Sequence, residues 1–147
     1  MVMEQMEQDK EMNEEAMLKV SLIEKNLHEL DEKIYYVLQQ ISELEEFKDN
    51  LKFLKEAKGK NMLSSVGKGV YLKSSCEDSN FFVNIGAGVV LKKTQAETEK
   101  IIESQIRNFH EAKASLMASF ELYRGLMNKS LSELKNVKNQ KNEGKTN

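Results

Sequence analysis

Proline and tryptophan are absent from this chain of 147 residues, cysteine occurs once and histidine twice. Without proline, no ring interrupts a helical register, and the heavy use of Glu, Lys, Leu, Asn, Ser and Met suits long helices better than packed layers. A single thiol, Cys76, cannot staple its own chain, and the sequence does not open on a basic stretch followed by an apolar one. A reducing cytoplasm is therefore the expected location. No apolar run approaches the ~18 residues of a membrane-spanning helix, so a soluble protein is expected. The formal net charge of -2 exerts no global pull on nucleic acid or acidic lipid, and neither is an expected partner.

The chemistry of sites is thin as well. His28 and His110 fall on different predicted helices, and Cys76 lies in a polar loop with no histidine beside it to activate it. The repeated Gly-x-Gly phrase described below lacks the third glycine of a dinucleotide fingerprint, that position being Leu72 in one copy and Leu91 in the other. The Gly-Lys-Thr at residues 144–146 has Asn139 where a phosphate-binding loop needs glycine, and no helix length follows it. No catalytic residue, metal site or cofactor is expected.

What is present is periodicity. Apolar residues at Val20, Ile23, Leu27, Leu30, Ile34, Val37, Ile41 and Leu44 alternate steps of three and four, which is a heptad seam. The next seam position is Lys48, and the pattern resumes through Phe47, Leu51 and Leu54, predicting a local change of winding. Gly59 is placed to cap this helix, predicted over about residues 10–58. A second seam runs from Ile102 through Ile106, Phe109, Lys113, Leu116, Phe120, Tyr123, Met127, Ser130 and Leu134 to Val137. Thr94 with Glu97 forms a capping-box start for this helix, predicted over about 95–138 and followed by a flexible basic tail, 139–147. Gly125 lies off the seam and is tolerated. At ~1.5 Å per residue each helix is on the order of 60 Å long, and matched lengths predict an antiparallel pair.

Between the helices, residues 60–93 change character to short β-branched and aromatic runs. Strands are predicted at 61–66, 69–75, 80–85 and 88–93. "VGKGVYLK" from Val66 recurs as "IGAGVVLK" from Ile85, each a strand end, a Gly-x-Gly turn (Gly67 and Gly69; Gly86 and Gly88) and a strand start. Duplication and convergence on good turn chemistry explain the repeat equally. The fold class is thus α+β, a long antiparallel coiled-coil hairpin with two small β-hairpins at the connecting end, forming a single domain over 1–147.

Two-stranded ribbons are marginal in water and leave their edges unpaired, so the same segment of other subunits is the economical cover. Val70, Leu72, Phe81, Val83, Ile85, Val89 and Leu91 are the predicted interface. The opposite helix ends carry opposite signs: six acidic groups against Lys10 in residues 1–15, and Lys135, Lys138, Lys141 and Lys145 against Glu143 in residues 135–147. Antiparallel pairing of the helices and ordinary solvation of the tails are both consistent with these charges. Met1, Met3, Met6, Met12 and Met17 crowd the first seventeen residues. Such soft side chains suit a promiscuous apolar grip, the alternative being a disordered tail.

Heptad helices of matched length around "VGKGVYLK" and "FFVNIGAGVVLKKT" make the chain resemble a prefoldin subunit over about residues 16–138, and specifically the alpha class, whose members carry two hairpins. The resemblance implies a hetero-hexamer of two alpha and four beta-type subunits, with coiled coils hanging from joined barrels. It also implies ATP-independent holding of unfolded proteins and their transfer to a group II chaperonin. By position it places client contact at the tips, around Met3, Met6 and Met12 on one helix and Leu131, Leu134 and Val137 on the other. One departure stands out: the family usually has an apolar residue and proline before the first Gly-x-Gly, whereas Ser64 and Ser65 stand here, predicting a looser first hairpin. A non-chaperone scaffold or tether that oligomerises through the hairpins is the alternative function.

Overall fold

A computed structural model describes residues 1–144; Lys145, and with it the rest of the Gly-Lys-Thr phrase and the last basic group of the expected tail, lies outside the described residues. The elements are α1 (Val2–Leu54), β1 (Asn61–Gly67), β2 (Val70–Ser75), β3 (Phe81–Gly86), β4 (Val89–Lys93) and α2 (Gln95–Glu143). The α+β class is as predicted: two long helices and two antiparallel two-stranded ribbons, β1-β2 and β3-β4. The chain divides into two compact units, Leu38–Glu111 and the remainder, Met1–Val37 with the chain from Ala112 on.

Both helices exceed their expected limits at the outer ends. The first starts at Val2 rather than near residue 10, and the second runs through Glu143, taking in the start of the segment expected as a flexible tail. No proline stands in the way, and the charges match the backbone dipoles, with Glu4 in the first turn of α1 and Lys141 in the last turn of α2. At the other end α1 stops at Leu54, short of residue 58. Two successive turns follow, Ala57 N–H donating to the Leu54 carbonyl at 3.1 Å and Lys60 N–H to that of Ala57 at 2.9 Å. Gly59, at φ +78°, is not a helix cap: its N–H donates to the Cys76 carbonyl at 2.8 Å, and Cys76 N–H returns a bond to Lys60 at 3.2 Å. The glycine turns the chain into β1 and ties that turn to the end of β2.

In the first unit the seam is covered at every three-four step from Asn13 and Ala16 through Val37 on α1, and from Lys113 to Val137 on α2. Ile23 and Val37 are buried, and so is Ser130, at 5% exposure, while the polar seam positions Asn13 and Lys113 are half-buried. Gly125 is exposed with open space where a Cβ would stand, so its place in the helix reflects tolerance rather than close packing.

The second unit holds the best-packed residue, Leu51, at 1% exposure, together with buried Ile41, Ile102 and Thr98. Burial follows Ile41, Leu44, Lys48 and Leu51 in unbroken three-four steps, while Phe47 and Leu54 are exposed. The predicted change of winding is therefore absent. Lys48 keeps its seam position by laying its aliphatic stem along the pair and placing Nζ 2.8 Å from Glu103 on α2. The ion pair holds the lysine above and the carboxyl below their ordinary ranges. Thr94 and Glu97 close the capping box reciprocally: Thr94 N–H donates to Glu97 Oε2 at 2.9 Å, and Glu97 N–H to Thr94 Oγ1 at 3.2 Å. Gln95 then reaches across to donate Nε2 to the Leu51 carbonyl at 3.2 Å, satisfying one of the acceptors that the end of α1 leaves open.

Candidate functional site

Two surfaces concentrate what this sequence leaves unsatisfied, and each belongs to one unit. In the Leu38–Glu111 unit they are the ribbons. In both turns the central residues have positive φ, Lys68 at 49° with Gly69 at 80°, and Ala87 at 49° with Gly88 at 74°. That pairing is what a primed hairpin turn requires, because only such a turn follows the right-handed twist of its strands. The preceding glycines, Gly67 at 120° and Gly86 at 112°, sit where the register slips by one residue, between Ser65 and Gly67 and between Asn84 and Gly86.

Register sorts the side chains by face. Ser64 opposes Leu72 and Gly67 opposes Val70, so Val70 and Leu72 share a face of the first ribbon with Met62, Ser64 and Ser74. In the second ribbon Phe81 opposes Lys93 and Val83 opposes Leu91, which puts Phe81, Val83, Leu91 and Val89 on one face. Val70, Leu72, Ile85, Val89 and Leu91 are exposed, whereas Phe81 and Val83 are half-buried. Those two line an apolar cavity of about 300 Å³ with Leu44, Phe47 and Leu51 of α1 and Ile101 and Ile102 of α2. Sequence reasoning passed over the other faces: Tyr71 and Leu63 on the first ribbon, Phe82 and Val90 on the second, with Phe82 71% exposed. The signal was available, since apolar residues fill consecutive positions at Val70–Leu72, Phe81–Val83 and Val89–Leu91, and consecutive strand residues occupy both faces.

Ser64 and Ser65, the departure from the family phrase, do not leave the first ribbon unpaired. Ser64 Oγ and Ser74 Oγ lie 2.6 Å apart, and Ser74 Oγ also donates to the Met62 carbonyl at 3.4 Å. The second ribbon is fastened differently. Asn84 Oδ1 accepts from Gly86 N–H at 2.9 Å inside the bulge, and Lys92 Nζ lies 2.7 Å from Asp78 in the loop before β3. The Lys92 ammonium, followed by the Asn80 N–H, holds the Asp78 carboxyl down at about 2.

In the other unit the surface is a groove. Counting back from Asn13 by the heptad steps gives Asp9, Met6 and Val2, and counting on from Val137 gives Lys141 and Gly144. All five line one groove of about 960 Å³, with Gln5, Lys138 and Asn142. The seam opens there for a physical reason: two of its positions carry charges that favour water, one has no side chain, and Val2 and Met6 alone cannot close it. Met1 and the first eleven residues of α1, through Met12, are accordingly all exposed, Met3 at 76% and Met6 at 66%. A smaller groove of about 260 Å³ brings Met12 and Ala16 together with Leu134 and Val137. Of the predicted tip residues, Met6 thus lines the large groove and Met12, Leu134 and Val137 the small one, while Met3 and Leu131 are exposed and line neither. Asp9, Lys138 and Lys141 were read from the sequence only as parts of the charged ends, although extending the seam three steps back from Val20 and one step on from Val137 marks Asp9 and Lys141 as seam positions.

Paired helices with a polar-interrupted seam, carrying two ribbons with open edges, define a coiled-coil subunit fold rather than an enclosed pocket. A family model described as Prefoldin subunit matches residues 23–140. Prefoldin subunit alpha of Methanosphaera stadtmanae is 21% identical over 97 residues, 66% of this chain and 70% of that protein. The cryo-EM structure of filamentous PFD from Methanocaldococcus jannaschii superposes with a TM-score of 0.71 at 20% identity, covering 78% of this chain and 97% of that one. The chain belongs to the prefoldin subunit family, a family of chaperone subunits, and is of the alpha type. No helix among the described residues is long and apolar enough to cross a membrane.

Proposed function

We propose that this chain is the alpha subunit of an ATP-independent holdase that binds unfolded proteins at its helix ends and passes them to a group II chaperonin in the cytoplasm. The observation that carries this reading is the unfilled groove flanked by Val2 and Met6, where the seam that joins the helices elsewhere in the unit stops being closed. An apolar segment of a client removes Val2, Met6, Met3 and Met12 from water at ~25 cal/mol per Å², too little for one arm, so several arms acting together supply the affinity. The ribbons provide the assembly. Their open edges and the exposed Val70, Leu72, Ile85, Val89 and Leu91 join beta-type subunits in a hexamer of two alpha and four beta chains. The solved relative's description as filamentous PFD supports assembly through chains of this fold.

Removing residues 1–15 and 131–147 is expected to leave assembly intact and abolish suppression of aggregation of a denatured, uncharged apolar client. Undiminished suppression would refute capture at the tips. Capture of that client survives high salt, whereas a scaffold gripping one folded partner through the charged ends lets go as salt screens them.

A further inference from the structure

One broad side of the helix pair in the unit that starts at Met1 carries a pattern its own chain does not use. The smaller groove gathers Met12, Glu15 and Lys19 of α1 with Glu133 of α2, so these heptad rows of both helices share one side. Asn13 stands there level with Val137 and Ala16 with Leu134, and equal steps along antiparallel helices keep seam partners level as far as Val37 and Lys113. On the opposite side each helix presents an inner and an outer row. Met17 and Glu24 in the inner row of α1 stand level, to within two residues, with Leu131 and Arg124 of α2. In the outer rows Glu14 stands level with Lys135, and Tyr35 with Ala114. All of these side chains are exposed. The face ends at Lys135, because Lys138 and Asn142 line the larger groove.

Outer rows lie on the far margins of a helix pair, so Glu14 and Lys135 of one chain do not meet. Among the described residues neither of them, nor Glu24, enters an ion pair, and Arg124 pairs with Glu121 of its own helix at 3.2 Å. From this face we infer that a second copy of the chain docks on it, the two helix pairs lying side by side and pointing the same way about a twofold axis that runs along them. Such an axis changes no residue's level and sets α1 of each copy against α2 of the other. Glu14 then meets Lys135 of the second copy, twice over, and Tyr35 packs over the small Ala114. The inner rows close one layer of two Met17 and two Leu131 side chains and another of two Glu24 and two Arg124, as in a four-helix bundle. Asp31, level with Met117, is the one position of these rows without a complement. Copies pointing opposite ways would set α1 against α1 and could not join Glu14 to Lys135. The contact runs roughly 30 Å from Glu14 to Tyr35 at ~1.5 Å per residue, short and partly charged, which makes it sensitive to salt. It lies opposite the smaller groove, leaves that groove open, and does not depend on client capture.

Cross-linking of the full-length chain tests this. Ser21 and Asn128 are exposed outer-row residues that stand level, and Cys76→Ser removes the one native thiol. When Ser21→Cys chains and Asn128→Cys chains are mixed and oxidised, disulfides between unlike chains are expected to exceed those between like chains by about tenfold or more, because like residues sit on opposite margins of the pair, past the ~7 Å Cα limit of a disulfide. Raising salt from ~50 mM to ~500 mM should remove most of that excess. Lys135→Glu in both chains should remove it at low salt as well, and adding Glu14→Lys should bring it back, a rescue that general destabilisation does not give. Equal yields for like and unlike chains, or no cross-link in any mixture, overturn the docking and leave client capture standing. An excess of like-chain disulfides places α1 against α1 and overturns it too.

Discussion

The two ribbons share a phrase, a turn geometry and a bulge, yet only the second is anchored by apolar side chains. Ribbon β3-β4 lays Phe81 and Val83 over the cavity formed with Leu51 and Ile102, and its preceding loop is tied by Asp78 to Lys92. Ribbon β1-β2 exposes nearly every apolar residue it has, with Met62 half-covered and a solvent-facing Ser64–Ser74 hydroxyl pair on the same face. Local sequence was repeated and local structure with it. The difference lies in what flanks each copy: Gly59 and the Cys76 carbonyl tether the first through backbone alone, whereas the second leads straight into the capping box of α2. For an assembling subunit this leaves one ribbon as part of the chain's own core and the other as the freer surface.

The sharpest test of that contrast is truncation. Phe81→Ala should cost about 2 kcal/mol, less than the 3–5 of a fully buried phenylalanine, and should loosen β3-β4 amides in hydrogen exchange on the unassembled chain. Val70→Ala in the first ribbon should cost less than about 0.5 kcal/mol in the same measurement. Similar losses at the two sites would erase the distinction between an anchored and a free ribbon. Next come the turns, where the ribbons are expected to agree: Gly67→Ala and Gly86→Ala each force an alanine to a φ near that of a mirror-image strand, at about 1–3 kcal/mol. Thermal unfolding should place the two within about 0.5 kcal/mol of each other, since open space surrounds both positions and only backbone strain acts. The smallest effect is electrostatic. Asp78 is held at about 2, below the ordinary carboxylate range near 4. A depressed carboxyl contributes fully above its unfolded pKa and loses that contribution as pH falls from about 4 to about 2. Amide shifts of Asn80 and Lys92 should therefore move in that window while those of β1 and β2 do not, and Asp78→Asn should flatten the response.

Much of this architecture was legible in the residues because its signals are local or strictly periodic. Heptad steps marked the covered faces of both helices, the Thr94–Glu97 box marked the start of α2, and paired Gly-x-Gly turns marked both ribbons to within a residue or so. The misses share a cause. Lys48 looked like a break in the seam because a charge was taken to leave it, but Glu103, fifty-odd residues away along the chain, receives the ammonium and lets the stem stay. Gly59 looked like a helix cap because its φ suits one, but the Cys76 carbonyl claims its N–H. The groove escaped notice because Asp9 and Lys141 do not look like seam residues until the helices are set side by side.

Order along the chain was thus enough for what depends on neighbours: helix against strand, turn type, which faces are apolar, and the family to which the whole belongs. Partners distant in sequence had to be brought together before it was decided that one ribbon is anchored and the other free, that a lysine sits in the seam, and that the helix ends part around a groove. Periodicity reports which way a side chain points, while burial and ion pairing depend on what stands opposite, and that is a property of the folded pair alone.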